Sequence, residues 1–204
     1  ETKVYVDSNL EMRWNSGDRI GLFDASTELK EFIFNGVSGD KEGSFSRHLG
    51  NSGGNPLDAA YAVYPYSEFL TINSKGEIDL GLPGVQDYAV KGFGRGANTC
   101  LAVTSNSSDR NLVFKNLCGY VVVNLYGEGT VERITLKGNN GEVLAGNARV
   151  WSSRQSSPVI MSLDGAQEII LRCGDRGVEL GNSVDKATAF WFVVPPVTFS
   201  KGLT

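Results

Sequence analysis

The stretch AYAVYPYS, residues 60–67, alternates small and aromatic residues up to a proline. As an extended strand it places Ala60, Ala62 and Tyr64 on one face and Tyr61 and Val63 on the other. Neither set is charged, so the strand is expected to belong to a sheet at least half buried on both sides. Pro65 has no N–H to give to a ladder and ends it. An aromatic wall that binds a sugar is the competing interpretation, and a packed strand end is the one adopted.

Working outward from this strand, helical periodicity is almost absent. Only FDASTELKEFIF (23–34) hints at it, and its β-branched and aromatic end makes a short helical turn or a loop the better expectation. Elsewhere short apolar alternations are spaced by turn signals such as NSGD (15–18), NGVSGDKEG (35–43), NSKGE (73–77) and GFGRGAN (92–98), a pattern of sandwiches and barrels. The fold class is all-β. From Leu112 the alternation strengthens, through NLVFKNLCGYVVVNLYG, VERITLKG, EVLAGNARV, PVIMSL, EIILRCG, VELG and AFWFVVPPVTF, and reads as a second sheet system. The polar SNSSDRN (105–111) between the halves places the domain boundary, giving domains 1–108 and 109–204. Asn140-Gly141, inside LKGNNGEVLAG, predicts a hairpin between the flanking apolar runs.

The totals exclude several classes of function. With 41% hydrophobic and 21% charged residues the chain is globular, and 25 glycines against 6 prolines suit many tight turns between short strands. A net charge of -4 leaves no electrostatic footprint for a nucleic-acid backbone. No run reaches the ~20 apolar residues of a membrane-spanning helix, and AFWFVVPPV breaks on two prolines. The chain begins at Glu1, so removal of an upstream segment is expected. Cys100, Cys118 and Cys173 form no C-x-x-C pair, and buried free thiols are expected over a Cys118–Cys173 bridge.

Catalytic chemistry is sparse. The single histidine, His48, sits in a glycine-rich loop with no nucleophile elbow elsewhere to serve, so a surface position is expected. GFGRG (92–96) looks like a phosphate loop, but no helix pattern follows to supply the N-terminus that would hold a phosphate. A pair such as Asp18 and Asp87 could serve a glycosidase if the fold brought them together, although acids beside Gly, Asn and Ser more often support turns. DSNLE, SGDKEG and LDGAQE offer only fragments of a calcium site, so neither metal nor cofactor is expected. Of the tryptophans, Trp191 lies in an apolar strand and reads as core. Trp14 and Trp151 adjoin polar turns and, with Tyr66, are the candidate ligand contacts.

Five landmarks in order resemble the fimbrillin-like proteins, subunits and accessory proteins of bacterial fimbriae. They are WNSGDRIGLF (14–23), AYAVYPYS (60–67), LPGVQ (82–86), LVFKNLCGYVVVNLYG (112–127) and FWFVVPPVTFSKGL (190–203), which span nearly the whole chain. The resemblance implies tandem transthyretin-like Greek-key β-sandwich domains, export through a lipoprotein signal, residence at the outer-membrane surface, and assembly by donation of a strand to a neighbour's open groove. It implies no enzymatic activity and supplies no catalytic residue. Family members continue past the proline-ended strand with a further hairpin, so beyond Thr204 the expectation is either a further terminal segment or a second domain short of strands. The lipid-bearing cysteine of the family is not among these residues, which leaves membrane attachment to an anchor outside them. Residues 1–10 are expected to be a first strand removable by a protease, or a leader to it.

The function expected is therefore a cell-surface structural or adhesion protein, a fimbrial subunit or fimbria-associated protein acting by β-strand complementation. Its partners would be other fimbrial subunits, surface proteins, or host glycans and proteins. A carbohydrate-binding module using Trp14, Tyr66 or Trp151 is the alternative, and a glycoside hydrolase stands third.

Overall fold

A computed structural model of the chain describes residues 5–6, 12–46 and 57–204. Its strands in chain order are β1 (Tyr5–Val6), β2 (Met12–Arg13), β3 (Arg19–Phe23), β4 (Lys30–Phe34), β5 (Phe45–Ser46), β6 (Tyr61–Tyr64), β7 (Thr71–Ile72), β8 (Ile78–Leu82), β9 (Val85–Ala89) and β10 (Gly92–Phe93). There follow β11 (Cys100–Val103), β12 (Lys115–Asn116), β13 (Gly119–Leu125), β14 (Thr130–Val131), β15 (Arg133–Lys137), β16 (Ala145–Trp151), β17 (Val159–Ala166), β18 (Glu168–Arg172), β19 (Val178–Glu179) and β20 (Thr188–Val194). One turn of 3₁₀ helix, Val184–Lys186, is the only helix among the described residues. The protein is all-β. The segment with the faint helical period forms an irregular run and then strand β4, whose phenylalanines pack into a sheet.

Strand β6 sits inside a six-stranded sheet of order β12-β11-β6-β3-β4-β5. Val63 lies opposite Leu101 on one side and Gly21 on the other, so β6 is saturated with backbone partners along both edges. Its two faces go to two different cores. Val63 and Tyr61, with Phe23, Leu101 and Leu117, face a four-stranded sheet of order β17-β16-β8-β7 that contributes Ile72, Ile78, Leu80, Leu82, Ala148 and Val150. Ala60, Ala62 and Tyr64, with Ile20, Leu22 and Cys100, face the other way under a layer of rings. The period-two separation expected from the sequence is the one observed.

A layer of aromatic rings lies over that second face. Trp14 covers it, with ring centroids 5.8 Å from Phe34, 5.1 Å from Phe45, 5.5 Å from Tyr64 and 5.1 Å from Phe114. Three of these four contacts are edge-on, the arrangement that aligns ring quadrupoles favourably. Trp14 is only 7% exposed, which overturns the expectation that it presents a face to ligand. Its polar neighbours misled because they are buried too. Asn15 donates its backbone N–H to Asp18 Oδ2 at 2.8 Å while the Asp18 N–H donates back to Asn15 O at 3.0 Å, so the backbone of the turn closes on itself, with Asn15 Nδ2 and Asp18 Oδ1 left without a partner among the described residues.

A second layered unit pairs a sheet of order β10-β9-β18-β15 with the two-stranded β13-β20. Between them lie Leu136, Leu144, Ile169, Leu171, Phe190, Phe192 and Val194. A small cluster of Phe93, Ala97 and Val193, with Met12, Cys118, Tyr120 and Trp191 against it, joins the two units. Trp191, expected in the core, is half-buried there, 6.1 Å from Tyr120.

Two expectations about connectivity are corrected. Both four-stranded sheets cross the boundary placed at 108/109: β8 pairs with β16, and β9 runs parallel to β18. SNSSDRN is polar because it is an ordered surface loop, not a linker. Ser105 N–H donates to Asp109 Oδ2 at 2.9 Å, Ser108 N–H donates to Asn106 Oδ1 at 2.9 Å, and Arg110 pairs with Asp24 at 2.7 Å. The Ser105 N–H and the Asn111 N–H, which donates to Asp109 Oδ1 at 3.0 Å, hold the Asp109 carboxyl down at about 2. The Asn140-Gly141 turn forms, with Gly141 at φ 77°, but no hairpin follows it. β15 pairs with β18 and β16 with β17, so the chain leaves one unit and enters the other there. Local turn chemistry fixed the bend and left strand partners to the cores.

Since Trp14 touches four rings at the centre of this layer, Trp14→Ala should cost about 3–5 kcal/mol of unfolding free energy by chemical denaturation. A loss below about 1 kcal/mol would show that the ring layer is not a core.

Candidate functional site

The strands with most surface to offer a partner are those at sheet edges, because their outward N–H and C=O groups lack strand partners. In β13, GYVVVNL, alternation puts Val121, Val123 and Leu125 toward the core of the second unit, opposite Phe192, Phe190 and Thr188 of β20. Phe190 and Phe192 are 0% exposed, whereas Val121, Val123 and Leu125 remain half-buried. Burial thus falls off across a single ladder, and β13 has β20 as its sole strand partner among the described residues.

The far side of β20 is closed differently. Gln86, on β9 and 4% exposed, donates Nε2–H to Val193 O at 2.8 Å and accepts the Val193 N–H on Oε1 at 2.9 Å. One side-chain amide therefore takes the place of a neighbouring strand's peptide. Close behind, a Cβ on Gly94 would overlap the Asp87 carbonyl, which explains a glycine of GFGRG by backbone approach. Gly92–Gly96 leads on to β11 with no helix behind it.

Strand β17 is a rival edge, eight residues long. Its register breaks, since Arg149 faces Ser162 while Val150 faces Ile160 and leaves Met161 as a bulge. A bulge bends and twists an edge away from further pairing. The β13–β20 ladder runs through seven consecutive pairs without such a break. β13 is the more regular of the two edges.

The sequence-derived ligand contacts do not form one platform. Trp14 lies in the ring layer. Trp151 is 39% exposed on the outer face of β16, opposite Val159. Tyr66 is half-buried beside a separate pocket that also includes Asp18 and Arg95. Burial pushes the Asp18 carboxyl up, against opposing pulls from the Asn15 N–H and the Arg95 charge. Asp87 instead pairs with Arg172 at 2.8 Å and lines a different, shallow depression, so the two acids are not brought together. His48 and residues 1–4 and 7–10 lie outside the described residues, while Tyr5–Val6 pairs with Met12–Arg13. All three cysteines are free thiols, with Cys118 pushed up to about 12 by burial. Among the described residues no group of three or more His, Cys, Asp or Glu is placed to hold a metal, and no helix is long and apolar enough to cross a membrane.

No protein-family model matches the sequence, and no curated protein matches it. The chain is similar in fold to a crystal structure of a "putative cell adhesion protein" from Bacteroides ovatus, with a TM-score of 0.51 at 14% identity over 99% of this chain and 78% of that one. At that identity the likeness is one of fold.

The role of Gln86 was hidden in the sequence, where LPGVQ shows a polar residue but not its partner 107 positions away. Gln86→Ala leaves a buried N–H and a buried C=O unmet, and should cost roughly 2–5 kcal/mol in denaturant unfolding. An unchanged midpoint would mean that the amide does not close the β20 edge.

Proposed function

We propose that the protein is a bacterial cell-surface structural or adhesion protein of the fimbrillin-like type, built from transthyretin-like Greek-key sandwiches and joined to its partners by strand complementation along β13. The observation that carries this proposal is the contrast between fully buried Phe190 and Phe192 on β20 and half-buried Val121, Val123 and Leu125 on β13. An added strand would pair with the outward backbone groups of β13 and cover those three side chains, satisfying polar and apolar demands together. Main-chain bonds would supply affinity, and alternate side chains of the incoming strand would supply specificity.

The likeness in fold to a protein named for cell adhesion supports the surface role. In this proposal the chain is exported, sits at the outer-membrane surface through an anchor, and works as a scaffold without catalysis. Its partners are other fimbrial subunits or surface proteins, and removal of residues 1–10 is the event that primes assembly.

Assembly is measured by sedimentation velocity on the whole chain and on a form lacking residues 1–10. The trimmed form should polymerise, and Val123→Lys should weaken that assembly at least tenfold by placing a charge where the incoming strand must exclude water. Val159→Lys, at the bulged β17 edge, should not. Equal effects of the two variants, or no assembly by any form, would contradict strand capture at β13. Thermal unfolding of each variant shows that it remains folded.

A further inference from the structure

Strand β15 is the outer member of its sheet, with β18 as its sole strand partner among the described residues. Its free side is taken at one end only. Lys137 N–H donates to Thr204 O at 2.7 Å and Thr204 N–H donates to Lys137 O at 2.8 Å, Leu203 bridges Gly138, and Asn139 N–H donates to Gly202 O at 3.1 Å. These contacts form the start of an antiparallel ladder. Along such a ladder alternate residues aim N–H and C=O the same way, so Thr135 and Arg133 repeat the outward aim of Lys137. Glu132 agrees with that phase, since its C=O faces inward and accepts the Cys173 N–H at 2.9 Å. The outward backbone groups of Thr135 and Arg133 have no partner among the described residues.

Both faces of this edge say what would fit beside it. On the inner face, Val197 and Phe199 lead into the paired segment and pack against the core of the second unit, while along β15 Leu136 is buried and Ile134 is left half-buried. Apolar side chains next to those two would extend that core. On the outer face, register sets Asp87 of β9, Arg172 of β18 and Arg133 of β15 in one row across the sheet. Arg172 pairs with Asp87 at 2.8 Å. Arg133 is exposed opposite a like charge and makes no ion pair among the described residues, although Glu132 and Asp175 line the same depression. Like charges facing each other across a ladder are destabilising and opposite charges stabilise it, so the next place in the row calls for an acid. A second copy of β15 would answer Arg133 and Lys137 with basic residues, which opposes pairing between two such edges.

We propose that the free side of β15 binds an extended segment of a partner polypeptide, antiparallel to it, with apolar residues beside Leu136 and Ile134 and an acidic residue opposite Arg133. Main-chain bonds to Thr135 and Arg133 supply affinity, and the acid supplies selectivity and register. The site is separate from strand capture along β13, and either can fail alone.

The blocked peptide Val-Thr-Val-Glu is added at millimolar concentration to the whole chain. The same sequence is also fused after Thr204, where its residues fall opposite Leu136, Thr135, Ile134 and Arg133 and tethering raises the effective concentration. Amide exchange and resonance positions are read by NMR. The fused peptide should slow exchange at Thr135 and Arg133 by about tenfold or more and leave the outward amides of β13 unchanged. The free peptide should shift the resonances of the same two amides. Lysine in place of the glutamate should weaken both effects by about threefold or more, and Arg133→Glu, at an exposed position, should reverse that preference. Proline in place of the threonine removes the N–H that meets Thr135 and should abolish them. No slowing by the fused peptide, equal response to glutamate and lysine, a preference that Arg133→Glu does not reverse, tolerance of the proline, or slowing along β13 as well would each overturn the assignment. So would a fused peptide that seats while the free one does not, since the edge would then serve only a strand of the same chain.

Discussion

Val63 and Leu101 point from the six-stranded sheet into the core shared with the four-stranded sheet, while Ala62, Tyr64 and Cys100 point from the same strands into the ring layer under Trp14. Covering one sheet on both sides is the constraint from which the rest of the structure follows. A side chain such as Val, Leu, Ile or Phe gains ~1.5–3 kcal/mol when fully buried, so a strand that buries both faces contributes twice along its length. It also forfeits any face for ligand. The surfaces left for a partner are the loops of the first unit and the strand edges of the second.

The two units solve the problem of edges unequally. In the first, β6 is central and β17 is bulged at Met161. In the second, β20 is closed on one side by the Gln86 amide, and β13 is left with a regular ladder on its inner side alone. A regular edge above half-covered valines invites another strand, and natural proteins usually blunt such an edge with charge, proline or a bulge. β13 has none of these. Its sequence, GYVVVNL, is the apolar alternation that would pair again.

Much of this was legible in the residues. The two-faced reading of Ala60–Tyr64, the all-β class, and strands β6, β13, β15 and β20 follow from alternation, because burial on a pleated sheet has period two. Strand β9 was not legible: VQDYA carries Gln and Asp where a strand buried on one face would alternate, and it pairs in parallel with β18 far along the chain. The burial of Trp14 was not legible because its polar neighbours signal solvent in sequence, whereas in the fold Asn15 and Asp18 bond each other inside. The boundary at 108/109 and the hairpin at Asn140-Gly141 failed for one physical reason. Turn residues report local bends, and which strands then pair is settled by long-range burial. The Asp18 and Arg95 pocket could not be found from sequence, since its walls are 77 residues apart and each motif has a good local explanation.

Amide hydrogen exchange of the isolated chain, read residue by residue across Gly119–Leu125 and Thr188–Val194, tests the open edge most directly. The account predicts slow exchange for those β13 amides that donate to β20 and fast exchange for the alternate ones that face outward, while Val193, closed by Gln86, stays slow. Uniform protection of every amide in β13 would mean that its outer edge is already covered, and the strand-acceptor account would be wrong.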